Sequence, residues 1–333
     1  MKKIIITGGA GFIGSHLIEK LLNKDIVEIL VIDDLSTGKS DNLVKFEDTG
    51  KVKFINKKVE DIVDLSQTFE GYDFCYHLAA GVGVQYIMEN LSKSLLTNIM
   101  ATHEVFEACK NNNIPVLVTS TSEVYGVSED KEWTEESRSL IGPTTKLRWS
   151  YAASKMIDEF LALSEYEEGT LNPIIVRLFN IIGPNQLSEF GMVVPKFIDA
   201  ALKNDPIVIH GDGSQSRSFT WVDDVTEYFI KLAEMKAYGE IYNIGQTQEI
   251  TITVNALPTI TFSGADTEVL NQSVCELTAI QDVQFTIGGS ANDVTFTSSP
   301  AGLGFDRLNN ISIAGGNIVT LSGQAPNVAA ETT

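Results

Sequence analysis

The start of this chain constrains its fold more than any other feature. Lys3-Ile4-Ile5-Ile6-Thr7 is a continuous apolar run that passes straight into Gly8-Gly9-Ala10-Gly11-Phe12-Ile13-Gly14. A strand buried on both faces of a parallel sheet reads this way, because neither face meets water and no alternation is needed. Gly8 permits a tight turn, Gly11 lets backbone approach a ligand, and Gly14 lets the next helix pack closely on the strand. A helical pattern through Leu17, Leu21 and Leu22 follows. The N–H groups that open a helix are free and its dipole favours an anion, so this loop, with Phe12 and Ile13 in its wall, suits a dinucleotide pyrophosphate. No Gly-Lys-Ser/Thr closes it, which sets aside a P-loop nucleotidase.

The theme repeats. Ile29–Ile32, Phe74–Leu78, Val116–Thr119 and Ile174–Val176 are further short apolar runs, separated by helix-like stretches. Strands alternating with helices predict an α/β fold with a doubly wound, Rossmann-type parallel sheet. The second strand ends at Asp33, 19 residues after Gly14. A carboxylate there accepts hydrogen bonds from ribose hydroxyls and repels a 2′-phosphate, so NAD is favoured over NADP.

Two further motifs carry chemistry. Tyr151-Ala-Ala-Ser-Lys155 places a phenol and an ammonium on one helix face. An ammonium near a phenol favours the phenolate, which can take a proton from a sugar hydroxyl while hydride leaves the same carbon. The oxidised nicotinamide ring adds positive charge beside it, so with Lys155 and that ring together Tyr151 is expected to ionise below the usual phenol range. Alone, such a spacing is as readily a solvated surface pair; downstream of a dinucleotide loop it is specific. Thr119–Gly126, directly after the fourth run, offers hydroxyls at the carboxyl end of a strand, where ligands bind in doubly wound sheets.

Together these motifs resemble the extended short-chain dehydrogenase/reductase superfamily, in particular its NAD-dependent nucleotide-sugar epimerases, dehydratases and decarboxylases, from residue 1 to about 250. The resemblance implies tightly held NAD, with Gly8, Gly11, Phe12, Ile13, Gly14 and Asp33 binding it, Asp61 and Ile62 flanking the adenine, and Leu78, Ala79 and Ala80 beside it. It implies Thr121 as hydroxyl partner, Tyr151 as base and Lys155 as its electrostatic support. On the substrate side it places Asn180 near the phosphates and Arg217 on the diphosphate. The shared chemistry oxidises the sugar at C4. Ser122-Glu123 after Thr121, and Arg148 before Tyr151, resemble the decarboxylases that act on UDP-glucuronate, which favours that subtype; a UDP-glucose 4-epimerase and a dTDP-glucose 4,6-dehydratase are the alternatives. A UDP-sugar is the expected substrate and a homodimer the expected assembly.

Composition adds exclusions. With 44 acidic against 24 basic residues and a net charge of −20, the chain is a poor partner for nucleic acid or anionic lipid. No apolar stretch approaches the roughly 18 residues of a membrane span. Cys75, Cys109 and Cys275 are few and far apart, so reduced thiols in a cytoplasmic protein are expected, with neither disulfides nor a metal site.

The composition also changes along the chain. Lys236 is the last lysine, and from Thr251 onward Arg307 is the only base against seven acids. Val283–Ile287, Val294–Thr297 and Ile311–Ile313 are alternating runs that end at turn residues, which predicts a small all-β, sandwich-like module. It loosely resembles immunoglobulin-like repeats of bacterial surface proteins, a cell-surface type of module. The resemblance to the enzymes implies further helices after Tyr242–Gly245, yet nothing of that kind follows Ile250. The reading is thus an NAD-binding domain with a truncated substrate lobe over 1–250 and a β-rich module over 251–333. Their join is a fusion or a chimera of two reading frames, the short lobe favouring the second. A binding protein without turnover is the rival to the enzyme.

Overall fold

The computed structural model describes residues 2–80, 91–128, 132–188, 192–209, 217–246, 249–250, 260–262, 283–287, 308–314 and 318–323. Cys275, the Gly211–Ser216 stretch and the run Val294–Thr297 lie outside the described residues. The chain divides into two compact units, Met1–Ile252 and Thr253–Thr333.

In the first unit, β1 (Lys3–Thr7), β2 (Glu28–Asp33), β3 (Val52–Asn56), β4 (Phe74–His77), β5 (Val116–Thr121), β6 (Pro173–Leu178) and β10 (Glu240–Ile244) form one sheet in the order β10-β6-β5-β4-β1-β2-β3. Every neighbouring pair is parallel. Two short strands, β7 (Ile181–Ile182) and β9 (Thr220–Trp221), pair beside it, and β8 (Arg217–Ser218) pairs with β11 (Glu249–Ile250). The expected doubly wound architecture is what forms.

Alternate residues of β1 feed opposite faces of the sheet. Ile4 and Ile6 join one buried cluster, with α1 (Phe12–Leu22) and α7 (Val222–Met235). Ile5 joins the other, with α3 (Leu65–Phe69), α4 (Leu91–Asn112) and α5 (Ser150–Glu167). Each fully buried isoleucine contributes about 1.5–3 kcal/mol, which explains why the run needs no polar positions. Cys75 on β4 and Cys109 on α4 are buried free thiols in the second cluster. The short helix α2 (Asp41–Val44) adds Leu43 to the first cluster, and no residue of α6 (Val193–Lys203) is buried.

The chain runs from β1 outward through β2 and β3, then returns to place β4 on the other side of β1. That reversal opens a crevice between the carboxyl ends of β1 and β4, the place where doubly wound sheets bind ligands.

In the second unit, β12 (Ile260–Phe262), β13 (Val283–Ile287), β14 (Leu308–Ala314) and β15 (Ile318–Gly323) form an antiparallel sheet in the order β12-β13-β15-β14. The alternating runs at Val283 and Ile311 are two of its strands.

Candidate active site

A cavity of about 620 Å³ occupies the crevice. One end is walled by the glycine loop. Gly8 has φ +75°, and a Cβ there would meet the Ala79 backbone nitrogen at 2.7 Å. A Cβ on Gly14 would collide with the Gly8 carbonyl, so both glycines are required by close approach of backbone. Gly11 caps α1 through backbone alone, with no side chain over the helix end. The free N–H groups of the first turn therefore open onto the cavity, which Gly8, Gly11, Phe12, Ile13 and Gly14 line.

Asp33 closes this end. Its carboxylate accepts the Ala10 N–H at 2.9 Å and the Leu35 N–H at 2.8 Å, while burial pushes its pKa up. Its spare lone pairs are available to ribose hydroxyls. The glycine cradle, the bare helix terminus and this fixed carboxylate fit NAD. Leu78, Ala79 and Ala80 line the opposite wall. Asp61 and Ile62 do not line the cavity; the wall there is Lys57, Lys58, Val59 and Glu60, earlier in the same segment. The sequence reading missed these lysines, although their place after a parallel strand is a signal for them.

The other end gathers Thr121, Ser122, Glu123, Arg148, Tyr151 and Asn180. Thr121 ends β5 and its hydroxyl accepts the Glu123 N–H at 3.2 Å, capping the turn Ser122–Tyr125. Burial raises the Glu123 carboxyl and the Arg148 guanidinium opposes that rise. Arg148 also stacks on Trp149, its guanidinium carbon 4.6 Å from the ring centroid. Asn180 has φ +38° and donates to the Ser218 carbonyl at 3.0 Å. Arg217 is exposed on β8 and does not line the cavity.

Beneath this end, α5 buries charge as well as hydrocarbon: Lys155, Asp158 and Glu159 lie on its inner face. Glu159 takes two bonds from Arg177, at 3.0 and 2.7 Å, and accepts the Ser120 hydroxyl. Lys155 does not line the cavity. Its ammonium bonds the Asp158 carboxylate at 3.1 Å, with the two side chains only 2% and 1% exposed. The chain's own groups hold the Tyr151 phenol above the usual range, through burial first and then the Glu123 and Asp158 carboxylates. The lowering expected of Tyr151 belongs to the cofactor-bound site, where the nicotinamide cation joins Lys155.

His77 links the two ends. The Thr102 hydroxyl donates to the Asn98 carbonyl at 2.9 Å, so it accepts from His77 Nε2 at 3.1 Å, and His77 Nδ1 accepts from Thr7 at 2.7 Å. Burial, and then the Lys155 ammonium, push the imidazole pKa down to about 3, so it is neutral. Among the described residues, no cluster of His, Cys, Asp or Glu is placed to hold a metal ion, and no helix is long and apolar enough to cross a membrane.

Comparison with known proteins places this geometry. A UDP-N-acetyl-alpha-D-glucosaminuronate decarboxylase of Bacillus cytotoxicus is 38% identical over 254 residues, covering 75% of this chain and 77% of that protein. UDP-glucuronic acid decarboxylase 1 of Arabidopsis thaliana is 33% identical over 250 residues, covering 75% of this chain and 56% of the relative. Among solved structures, a UDP-glucuronic acid 4-epimerase from Bacillus cereus, in complex with UDP-glucuronic acid and NAD, superposes with a TM-score of 0.68 at 30% identity, covering 75% of this chain and 79% of the other. Residues 4–245 match the NAD dependent epimerase/dehydratase family, and the chain belongs to that family of enzymes.

Proposed function

We propose that the chain acts on a UDP-linked uronic acid and removes its carboxylate. The observation that carries this reading is the placing of Arg148 and Glu123 beside Tyr151 and Thr121 on one wall of the cavity. A plain 4-epimerase needs only the phenol and its hydroxyl partner. A cation and a buried carboxylate beside them suit a substrate that carries its own carboxylate. The decarboxylase names of the two sequence relatives point the same way.

NAD, held by the glycine loop and Asp33, supplies a hydride acceptor and donor for the sugar C4. Tyr151 takes the proton of the C4 hydroxyl, which Thr121 holds in line. Arg148 pairs with the C6 carboxylate as the substrate binds. With a ketone at C4, the C5–C6 bond breaks and its electron pair passes into the enolate as CO2 leaves. Glu123, raised by burial, delivers a proton to C5, and Tyr151 returns its proton when the ketone is reduced. Asn180 serves the nucleotide phosphates from the cavity wall, and Arg217, outside the cavity on β8, would meet the diphosphate beyond it, an arginine fork matching phosphate oxygens.

We assign residues 1–250 to an NAD-binding domain with part of a nucleotide-sugar lobe, and 251–333 to a separate β-rich module. In α6 no residue is fully buried, and its exposed Ile198 and Leu202 support a lobe that is only partly built. A homodimer through α4 and α5 fits the exposed Leu96, Met100, Ile157 and Phe160. Free thiols at Cys75 and Cys109 fit a reducing, cytoplasmic setting.

The test is CO2 release from UDP-glucuronate by the full chain, and by residues 1–245 joined to the C-terminal segment of the Bacillus cytotoxicus relative. Release of CO2 is the expected result. A repaired enzyme that epimerises the sugar at C4 and releases no CO2 replaces this reading with the epimerase one.

A further inference from the structure

The Lys155–Asp158 pair has no counterpart in the steps above. Both side chains are almost fully buried on the inner face of α5, one helical turn apart. Asp158 uses one oxygen on Lys155, at 3.1 Å, and its Oδ1 has no hydrogen-bond partner. The Thr102 hydroxyl lies beside it. An oxygen left bare at that depth is costly, which asks what the carboxylate does besides pair with a lysine.

We propose that Asp158 is a positioning residue that competes with the Tyr151 phenolate for the Lys155 ammonium, holding Tyr151 in its phenol form until a second positive charge comes beside it. This rests on the reading of Tyr151 as the base. Lysine presents three donors on a flexible stem, so one ammonium can turn from carboxylate to phenolate. The phenol proton leaves to solvent as that turn is made, and the buried charge stays balanced throughout. The cationic ring of oxidised NAD is the second positive charge, so the base would be armed only when the hydride acceptor is in place.

Among the described residues, the charges around Tyr151 are few. Glu123 faces it from the turn after β5, with Arg148 from the turn that precedes α5 acting on Glu123. Asp158 and Lys155 lie on its own helix. Behind them, Glu159 is neutralised by Arg177 of β6. His77 of β4 is neutral, and Asn98 and Thr102 of α4 carry no charge. Among the described residues, the carboxyl groups of Glu123 and Asp158 are the two that disfavour the phenolate, and Asp158 is the one that also holds the lysine.

The experiment labels the tyrosine ring ζ-carbon with 13C in the full chain, with NAD bound and no substrate. The Tyr151 resonance is identified by its loss in Tyr151→Phe. In Asp158→Asn the phenol midpoint should fall by about one pH unit or more, and Asp158→Glu should restore it. A midpoint in Asp158→Asn equal to the parent's overturns the proposal, and so does a fall of the same size in a Lys155→Met background, because plain repulsion by Asp158 needs no lysine. Removing one partner of a buried pair can unfold a protein, so a second measurement uses the parent. With aspartate carboxyls labelled, the Asp158 signal should move across the Tyr151 midpoint and stay still in Tyr151→Phe. A signal that does not respond to Tyr151 ionisation also overturns it. These readouts are ionisations taken without substrate, so they stand or fall separately from the CO2 measurement that tests the reaction.

Discussion

The two ends of the cavity are built on different principles. The nucleotide end is made of backbone: glycines without side chains, a helix terminus without a side-chain cap, and one aspartate fixed by two N–H groups. The reacting end is made of side chains, Thr121, Glu123, Arg148 and Tyr151, standing on a buried layer of charge. Backbone geometry is shared by every molecule that folds this way and tolerates almost no change. Side chains can be exchanged on the same frame, so a family varies its chemistry at that end while keeping its cofactor.

The contrast can be broken in a graded series. Tyr151→Phe should cost on the order of 10⁴-fold in hydride transfer, the upper range for a general base, while calorimetry finds NAD binding unchanged. Equal turnover would remove Tyr151 from the chemistry. Arg177→Met strips the partner from Glu159 beneath the reacting end. It should destabilise the first unit by about 3–5 kcal/mol in urea titrations, as for other broken buried pairs.

His77 joins the two ends and gives a pH test. Its folded pKa of about 3 lies below the ordinary imidazole value of 6.5, so between those values the unfolded chain binds more protons. Stability contributed by the neutral imidazole is therefore full above pH 6.5 and falls as pH drops, by about 1.4 kcal/mol per unit. Urea midpoints at pH 6.5 and pH 5 should differ accordingly, and His77→Gln should flatten that slope. The smallest effect is at the nucleotide end. Asp33→Ala should narrow the preference for NAD over NADP, by about tenfold if the carboxylate's repulsion is worth roughly 1.4 kcal/mol. Equal affinity of the parent for both cofactors would show that Asp33 does not set the choice.

The same contrast explains what could be read from the sequence. Gly8, Gly11, Gly14 and Asp33 were legible because each answers a local backbone requirement at fixed spacing. The strands were legible because burial on both faces leaves an unbroken apolar run. Thr121, Glu123 and Tyr151 were legible as types at strand and helix ends. How the chain's own groups act on Tyr151 was not, since that depends on burial and on the Glu123 and Asp158 carboxylates, and an acid three residues after Lys155 reads as an ordinary solvated helix charge until the helix is docked. The place of Arg177 was not legible either: in the fold it faces inward to Glu159, a partner 18 residues away whose burial no spacing rule reveals.

Cys75 and Cys109 have one further consequence. Both thiols are sealed in the core on neighbouring elements, one on the central strand β4 and one on α4 behind it. An alkylating reagent in solution reaches them only when that layer opens. In a Cys275→Ser background, their rate of modification becomes a clock for the rare openings of the first unit. The same clock, run with and without cofactor, would report how strongly the filled crevice keeps the layer shut.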